Sequence, residues 1–174
     1  MSESGTAPAA RSMTNDGREA ATLSWEEGRR RICDARYYLL GTVHPSGRPQ
    51  LRPVLAVWSA GMLYTTSSPS ARKAGNLHRD SRCTVAVTAE DMHLVLEGTA
   101  TAVAEDAVLR RVAGTYRAKY DWPVTVRDSM YDAPYGAPTA GPPPYRLYEI
   151  RPATVLAFVN DSSALGAGST RWSF

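Results

Sequence analysis

The chain has 174 residues, of which 43% are hydrophobic and 21% are charged, and its formal net charge is +3. These values predict one soluble globular domain with a packed core and exclude wholesale disorder. The mild positive charge gives no indication of a nucleic-acid partner. Because Cys33 and Cys83 lie far apart in the sequence, neither a disulfide framework nor a structural zinc site is expected.

No run of residues approaches the roughly 18 apolar positions that a membrane-spanning helix needs. The first residues also lack the basic-then-apolar order of a secretory signal. We therefore expect a cytoplasmic protein with no membrane partner. Residues 1–22 mix small, polar and charged residues without an apolar period, which predicts a disordered N-terminal tail before a folded domain over residues 23–174.

The folded part is predicted to open with a helix. Ser24 stands three residues before Glu27, which is the spacing of a capping box, and the helix is expected to run to about Arg36. From there onward, short runs rich in β-branched and aromatic residues alternate with turn formers, a pattern that predicts strands. The predicted strands are Tyr37–Val43, Gln50–Ser59, Met62–Thr66, Cys83–Thr88, Met92–Ala104, Tyr145–Arg151 and Thr154–Asn160.

Two further helices and one long loop interrupt these strands. Ser70–Arg79 is predicted to be a short helix, and Asp106–Tyr120 a longer one whose apolar residues, three and four apart, pack against the sheet. Residues 121–144 contain six prolines and are predicted to be irregular. The order of elements predicts a mainly β fold with α: a six- to seven-stranded antiparallel barrel, closed or half-closed, with peripheral helices.

A candidate anion site follows the third predicted strand. There the chain runs from Thr65, Thr66 and Ser67 into a helix whose first residues include Arg72 and Lys73. Hydroxyl groups, unpaired amides at a helix N-terminus and two cationic side chains are the groups that bind a phosphate. The alternative is an ordinary surface helix whose two basic residues are only solvated.

Two other features are compatible with a flat ligand, and each has a structural alternative. Pro53 removes a hydrogen-bond donor inside a predicted strand, which either exposes backbone to a heterocycle or marks a tolerated proline on an edge strand. The aromatic residues in and after the proline-rich loop either cover such a ring or only pack. They are Trp122, Tyr131, Tyr135 and Tyr145.

The ordered succession of short motifs resembles the pyridoxamine 5'-phosphate oxidase-like superfamily of FMN-binding split β-barrels, from about Ser24 to the end of the chain. The motifs are Tyr38-Leu39-Leu40-Gly41-Thr42, Gly47-Arg48-Pro49, Arg52-Pro53-Val54, Tyr64-Thr65-Thr66, Arg72-Lys73, Asn76-Leu77 and Glu97-Gly98-Thr99-Ala100. The terminal Thr170-Arg171-Trp172-Ser173-Phe174 resembles branch B of the flavin/deazaflavin oxidoreductases, which use coenzyme F420. Ser173 departs from that pattern, because a basic residue often stands there.

The resemblance implies a split β-barrel and a cofactor site shared between the two subunits of a homodimer. By it, Arg52, Pro53 and Val54 line the isoalloxazine or deazaflavin ring, a second group holds the phosphate end of the cofactor, and Asn76 is a further cofactor-binding residue. Gly98 lies in a strand that closes the pocket, and Trp172 reaches a cofactor bound mainly by the partner subunit. The phosphate-end residues are Thr65, Thr66, Ser67, Arg72 and Lys73.

The expected activity is that of a coenzyme F420-dependent oxidoreductase, which transfers hydride between the reduced cofactor and an unsaturated or oxidised small organic substrate. One alternative is an FMN-dependent oxidase or reductase of the pyridoxamine 5'-phosphate oxidase type, and another is a non-catalytic flavin- or deazaflavin-binding protein. No side chain is singled out as a catalytic acid or base. The three histidines show no metal-ligand spacing, so no metal site is expected.

Overall fold

The computed structural model describes residues 7–13, 21–137, 141–161 and 165–174. Within these ranges the fold is mainly β with three helices, which confirms the predicted fold class. The strands are β1 Ala9–Ser12, β2 Tyr38–Val43, β3 Pro49–Val54, β4 Ala56–Ser59, β5 Met62–Ser67, β6 Arg82–Thr88, β7 Met92–Val103, β8 Thr125–Arg127, β9 Met130–Asp132, β10 Arg146–Val159 and β11 Thr170–Ser173. The helices are α1 Trp25–Asp34, α2 Arg72–Arg79 and α3 Asp106–Tyr120.

The long strand β10 divides the main sheet. One of its edges pairs with β7 along nearly its whole length. Its other edge pairs with β5 over Arg146–Ile150 and with β11 over Thr154–Ala157. Nine described strands therefore form one antiparallel sheet, whose hydrogen bonds do not close a barrel, and β8 and β9 form a separate two-stranded ribbon. The sequence predicts a strand break at Pro152, but the structure has a bulge there within one continuous strand.

Two segments contain strands that the sequence does not predict. Within residues 1–22, predicted to be a disordered tail, Ala9–Ser12 form β1 and pair with β11. The rest of that segment lies largely outside the described residues. Within residues 121–144, predicted to be irregular, β8 and β9 form a short hairpin. Backbone pairing stabilises β1 and the β8–β9 hairpin, and amino-acid composition alone does not predict such pairing.

The first helix confirms the predicted cap. The backbone N–H of Glu27 donates to Ser24 Oγ at 3.3 Å, and the N–H of Ser24 donates to Glu27 Oε2 at 2.9 Å. Helix α1 packs its buried Ile32 on the core. Gly28 allows the helix to approach the indole of Trp172, because a Cβ at this position would lie 2.7 Å from the ring. A glycine is therefore required by this close approach.

Strands β3 and β4, predicted as one strand, are separated at Leu55, where the chain leaves β2 and begins to pair with β5. We call this point the partner switch. The carbonyl oxygen of Leu55 accepts from Thr65 Oγ1 at 2.9 Å and from the Tyr116 hydroxyl at 3.3 Å. The N–H of Ala56 donates to the Tyr120 hydroxyl, which also lies 2.9 Å from the Ala56 carbonyl oxygen. Helix α3 and β5 thus satisfy backbone groups that lose their ladder partners.

Lys119 completes the contacts of α3 with the partner switch. Its Nζ donates to the Tyr38 hydroxyl at 2.7 Å and to the Ala56 carbonyl oxygen at 3.3 Å, and it lies over the Tyr38 ring. Among the described residues, no carboxylate lies within ion-pair distance of this ammonium. Burial lowers the pKa of Lys119 to about 8. Lys119 is thus a half-buried cation held by dipoles and aromatic rings.

The aromatic residues of the proline-rich loop pack against α3. Trp122, Tyr131 and Tyr145 are buried in a second hydrophobic cluster with Leu109 and Tyr116 of the helix. The Tyr131 hydroxyl donates to the Leu109 carbonyl oxygen at 2.7 Å. The structure therefore favours the packing interpretation for these three residues, whereas Tyr135 is exposed.

Gly98→Ala is expected to lower the free energy of unfolding by about 1–3 kcal/mol, the range for overpacking. A Cβ on Gly98 would lie 2.1 Å from the carbonyl oxygen of Arg151, in the backbone beside the bulge, which cannot rotate away as a side chain can. Urea unfolding of the variant measures this loss. Gly114→Ala is the control, because a Cβ there meets nothing within 4 Å and lies inside a helix. An unchanged stability of Gly98→Ala would contradict the close approach.

Lys119→Met is expected to change how stability depends on pH. Because the pKa of Lys119 is about 8 in the folded chain and about 10.4 in an unfolded one, the unfolded chain binds more protons between these values. The free energy of unfolding of the parent chain should therefore rise with pH in that window relative to Lys119→Met. Urea titrations at about pH 7 and about pH 10 give the difference. Arg117→Met, on the exposed side of the same helix, is the control, and its free energy of unfolding should change with pH as that of the parent chain does.

Candidate functional site

The candidate site lies where β3 approaches the first turn of α2. Lys73 is half-buried there, and burial together with the nearby positive charge of Arg52 lowers its pKa. Among the described residues, no carboxylate lies within ion-pair distance of Lys73, Arg52 or Arg72. Bringing two like charges together with partial loss of solvent is unfavourable without a counter-charge. The arrangement is therefore suited to bind an anion.

A polar network that the sequence does not reveal positions this helix. The side-chain amide of Asn76 donates to Thr42 Oγ1 and to Gln50 Oε1, both at 2.9 Å, and thereby ties α2 to β2 and β3. Asn76 is predicted as a cofactor residue, but both of its N–H donors are used within the chain. The sequence does indicate where Gln50 lies, because residues two apart in a strand share one face and Gln50 is therefore on the same side of β3 as Arg52 and Val54.

The three hydroxyl residues predicted for the phosphate do not all point the same way. Thr65 and Ser67 share one face of β5 and Thr66 lies on the other, because successive side chains of a strand alternate. All three are buried. The hydroxyl of Thr65 donates to the Leu55 carbonyl oxygen, and that of Ser67 to the Ser68 carbonyl oxygen at 3.1 Å. In this structure the hydroxyls of Thr65 and Ser67 are therefore bonded to backbone carbonyl oxygens of the chain, and the cations without a carboxylate partner in the described ranges belong to β3 and α2.

The segment predicted to line a flat ring lies at the edge of the sheet. Strand β3 pairs with β2 and ends the strand order, so its other edge has no partner strand among the described residues. Pro53 is exposed on the outer face, whereas Val54 is buried in the core. Pro53 therefore sits where proline is tolerated, and the neighbouring backbone groups along this edge are available to a ligand.

Gly98 and Trp172, both predicted near the cofactor, have structural roles in the chain. Gly98 pairs with Pro152 at the bulge of β10, where only glycine fits. Trp172 has no accessible surface, because its indole packs against Trp25, with ring centroids 5.5 Å apart, and below Gly28. In this arrangement Trp172 contributes to the core and exposes no surface with which to reach a partner subunit.

Neither a metal site nor a membrane-spanning helix is found in the described ranges. There, the histidines, cysteines and carboxylates form no group of three or more that could hold a metal ion. No helix in the same ranges has both the length and the apolar composition required to cross a membrane.

Several solved structures share this fold. The conserved hypothetical protein Rv2991 from Mycobacterium tuberculosis superposes with a TM-score of 0.65 at 19% identity, over 84% of this chain and 91% of that one. A FAD-binding protein from Mesorhizobium loti gives 0.56 at 17% identity, over 94% and 96% of the two chains. An F420 reductase gives 0.53 at 20% identity, over 73% and 94%. At these identities the likeness establishes the fold.

Comparison of the sequence with known protein families identifies the family of this chain. No curated protein sequence matches the chain. The family described as pyridoxamine 5'-phosphate oxidase matches residues 24–158, which include β2 to β7, all three helices and most of β10. Because this match spans well over half of the sequence, the chain belongs to the pyridoxamine 5'-phosphate oxidase family.

Proposed function

We propose that this protein binds coenzyme F420 and acts as an oxidoreductase on an unsaturated or oxidised small organic substrate. The observation that carries the proposal is the half-buried ammonium of Lys73 beside Arg52, with no carboxylate partner in the described part of the chain. The C-terminal motif favours the deazaflavin over other ring cofactors, and an F420 reductase is among the solved structures that share the fold. The protein would act in the cytoplasm.

The cations of this site bind the phosphate end of the cofactor. Lys73, Arg52 and Arg72 supply the charge, and Arg72 and Lys73 stand in the first turn of α2, where unpaired amides and the helix dipole also favour an anion. With the phosphate held there, the ring would lie along the free edge of β3 beside Pro53. The network of Asn76 keeps the helix and the strand at a fixed separation, so the phosphate contacts and the ring contacts are made together.

When bound, the cofactor supplies the hydride-carrying carbon, and the protein supplies position. The groups near the site are consistent with this division, because within the described ranges the cations of Lys73, Arg52 and Arg72 have no carboxylate partner and are suited to binding an anion. The partner switch holds the end of β3 rigidly through Leu55 and Ala56. A rigid strand edge fixes the distance from the ring to a substrate lying over it, which is the main protein contribution to hydride transfer.

FMN is the second candidate cofactor. One cluster of cations is enough for a single phosphate, and Ser173 stands where the F420-using branch often has a basic residue. The fold is also shared with a FAD-binding protein. A protein that binds either cofactor without turnover is the third candidate, since a pocket does not imply chemistry.

We further propose that a second copy covers the outer face of the sheet, giving a homodimer. The strand register places one apolar side chain from each of five adjacent strands side by side on this face. Leu51 and Phe158 lie on the same face, each two residues along its strand from this row. Leu39, Leu51 and Phe158 are 41%, 54% and 44% exposed, which is unusual for large apolar residues grouped on one face. The row is Pro53, Leu39, Ala86, Val95 and Leu156. It begins at the strand edge proposed to hold the ring, so the partner would complete the pocket.

Separate fluorescence titrations with coenzyme F420 and FMN test the cofactor assignment. Tighter binding of F420 is expected, and Lys73→Ala should weaken that binding by about 1–3 kcal/mol, the size of a lost charge-assisted contact. Arg127→Ala removes an exposed arginine at β8 and serves as the control. An unchanged dissociation constant in Lys73→Ala would remove that residue from the site, and tighter binding of FMN would select the second candidate.

Replacing Leu39 and Leu51 together by aspartate tests the dimer. Both side chains are exposed in the chain described, so the double variant should fold, but two buried charges would separate the subunits. Light scattering should report a dimer for the parent chain and a monomer for the variant, and the variant should bind the cofactor more weakly. Tyr135→Asp, at an exposed aromatic residue of the loop, is the control. A monomeric parent chain would refute the proposed interface.

A further inference from the structure

Two arginines face each other at the other end of the sheet. Arg11 of β1 and Arg171 of β11 are direct register partners in an antiparallel pair. Directly opposite residues of such a pair project from the same face of the sheet. Both side chains are exposed, so the two guanidinium groups share the solvent above these strands.

Neither guanidinium has a counter-charge within the described ranges, where no carboxylate lies within ion-pair distance of either one. The polar contact of Arg171 is with Thr154, whose Oγ1 lies 3.4 Å from Nη2. Like charges directly opposite each other destabilise a strand pair. The repulsion acts on a short strand, because β1 has four residues with small or exposed side chains and pairs with β11 alone in the described sheet.

The arginines border a concavity of about 330 Å³, which is at the lower end of the range for small-molecule sites. Its other lining residues are Ala9, Ala10 and Ser173. Ala9 and Ser173 are register partners on the same face as the two arginines. Their small side chains leave room above the strands, and the serine adds a hydroxyl group to the wall.

We propose that Arg11 and Arg171 bind one oxyanion group, a phosphate or a carboxylate, between them. The anion supplies the missing counter-charge, and the forked guanidinium groups donate to its oxygens from two strands. It therefore ties β1 to β11. This site lies on different strands from Lys73 and Arg52 and is not among the cofactor contacts proposed for them. It stands at the far end of the outer-face row that begins at Pro53, because Leu156 of that row is the register partner of Arg171.

The proposal links anion binding to the docking of β1, because a ligand that binds only the docked strand stabilises it by mass action. Hydrogen exchange of the backbone amides of residues 9–13 measures this docking directly. At a phosphate concentration ten times its dissociation constant, exchange of these amides should slow by about tenfold relative to chloride at equal ionic strength and pH. Succinate in place of phosphate shows whether a carboxylate serves as well.

The variant that tests the assignment is Arg11→Gln combined with Arg171→Gln. Its β1 amides should exchange at the same rate in phosphate, succinate and chloride. Lys73→Ala and the exposed-surface control Arg117→Gln should both keep the response of the parent chain. The first of these separates the two anion sites, so failure of the cofactor proposal would leave this result unaffected.

Three outcomes would overturn the proposal. The first is a double variant that responds to phosphate as the parent chain does. The second is a parent chain that responds to neither anion, and the third is a response that is lost in Lys73→Ala. Light scattering on the double variant supplies the remaining check. If the double variant has an altered oligomeric state and the parent chain shows no effect of either anion, the arginine pair belongs to a subunit contact instead.

Discussion

The arrangement of the site depends on one constraint, which is that the backbone at Leu55 and Ala56 must keep its hydrogen bonds while the chain changes partner strands. Thr65, Tyr116 and Tyr120 provide these bonds from β5 and from α3. Without them, buried peptide groups would be left unpaired at a cost that a short strand cannot offset. The helix is therefore needed to hold β3 at the edge of the sheet, next to the site.

The two lysines of the chain differ in the contacts that surround their charges. The chain has only two lysines, Lys73 and Lys119, and both are half-buried, lack a carboxylate partner in the described ranges and have a lowered pKa. Lys119 donates to the Tyr38 hydroxyl and to the Ala56 carbonyl oxygen and lies over the rings of Tyr38 and Tyr120, so its polar contacts are made within the fold. Lys73 lies near enough to Arg52 for the two charges to interact and has no such contacts within the described ranges. This difference separates a cation that supports the fold from one available to a ligand.

Local signals in the sequence predict the helices well, because a helix is fixed by nearby residues. The capping box at Ser24 and the bounds of α3 are found as predicted. Features that depend on distant contacts are not predicted: the strand at Ala9–Ser12 needs β11, and the break at Leu55 needs α3. Of the candidate site, Arg52 lies close enough to Lys73 to lower its pKa, although the family resemblance assigns Arg52 to the ring and Lys73 to the phosphate. Asn76 and Trp172 are engaged in hydrogen bonds and packing that no local pattern reveals.

The most direct measurement is a crystal structure of the protein with coenzyme F420 or FMN bound. The account predicts phosphate oxygens within about 3 Å of Lys73 Nζ and the Arg52 guanidinium, with the ring against the free edge of β3 and the hydrogen bonds at Leu55 unchanged. A cofactor bound elsewhere, or a β3–β4 segment that rearranges to admit it, would contradict the claim that the partner switch and the paired cations form the binding site.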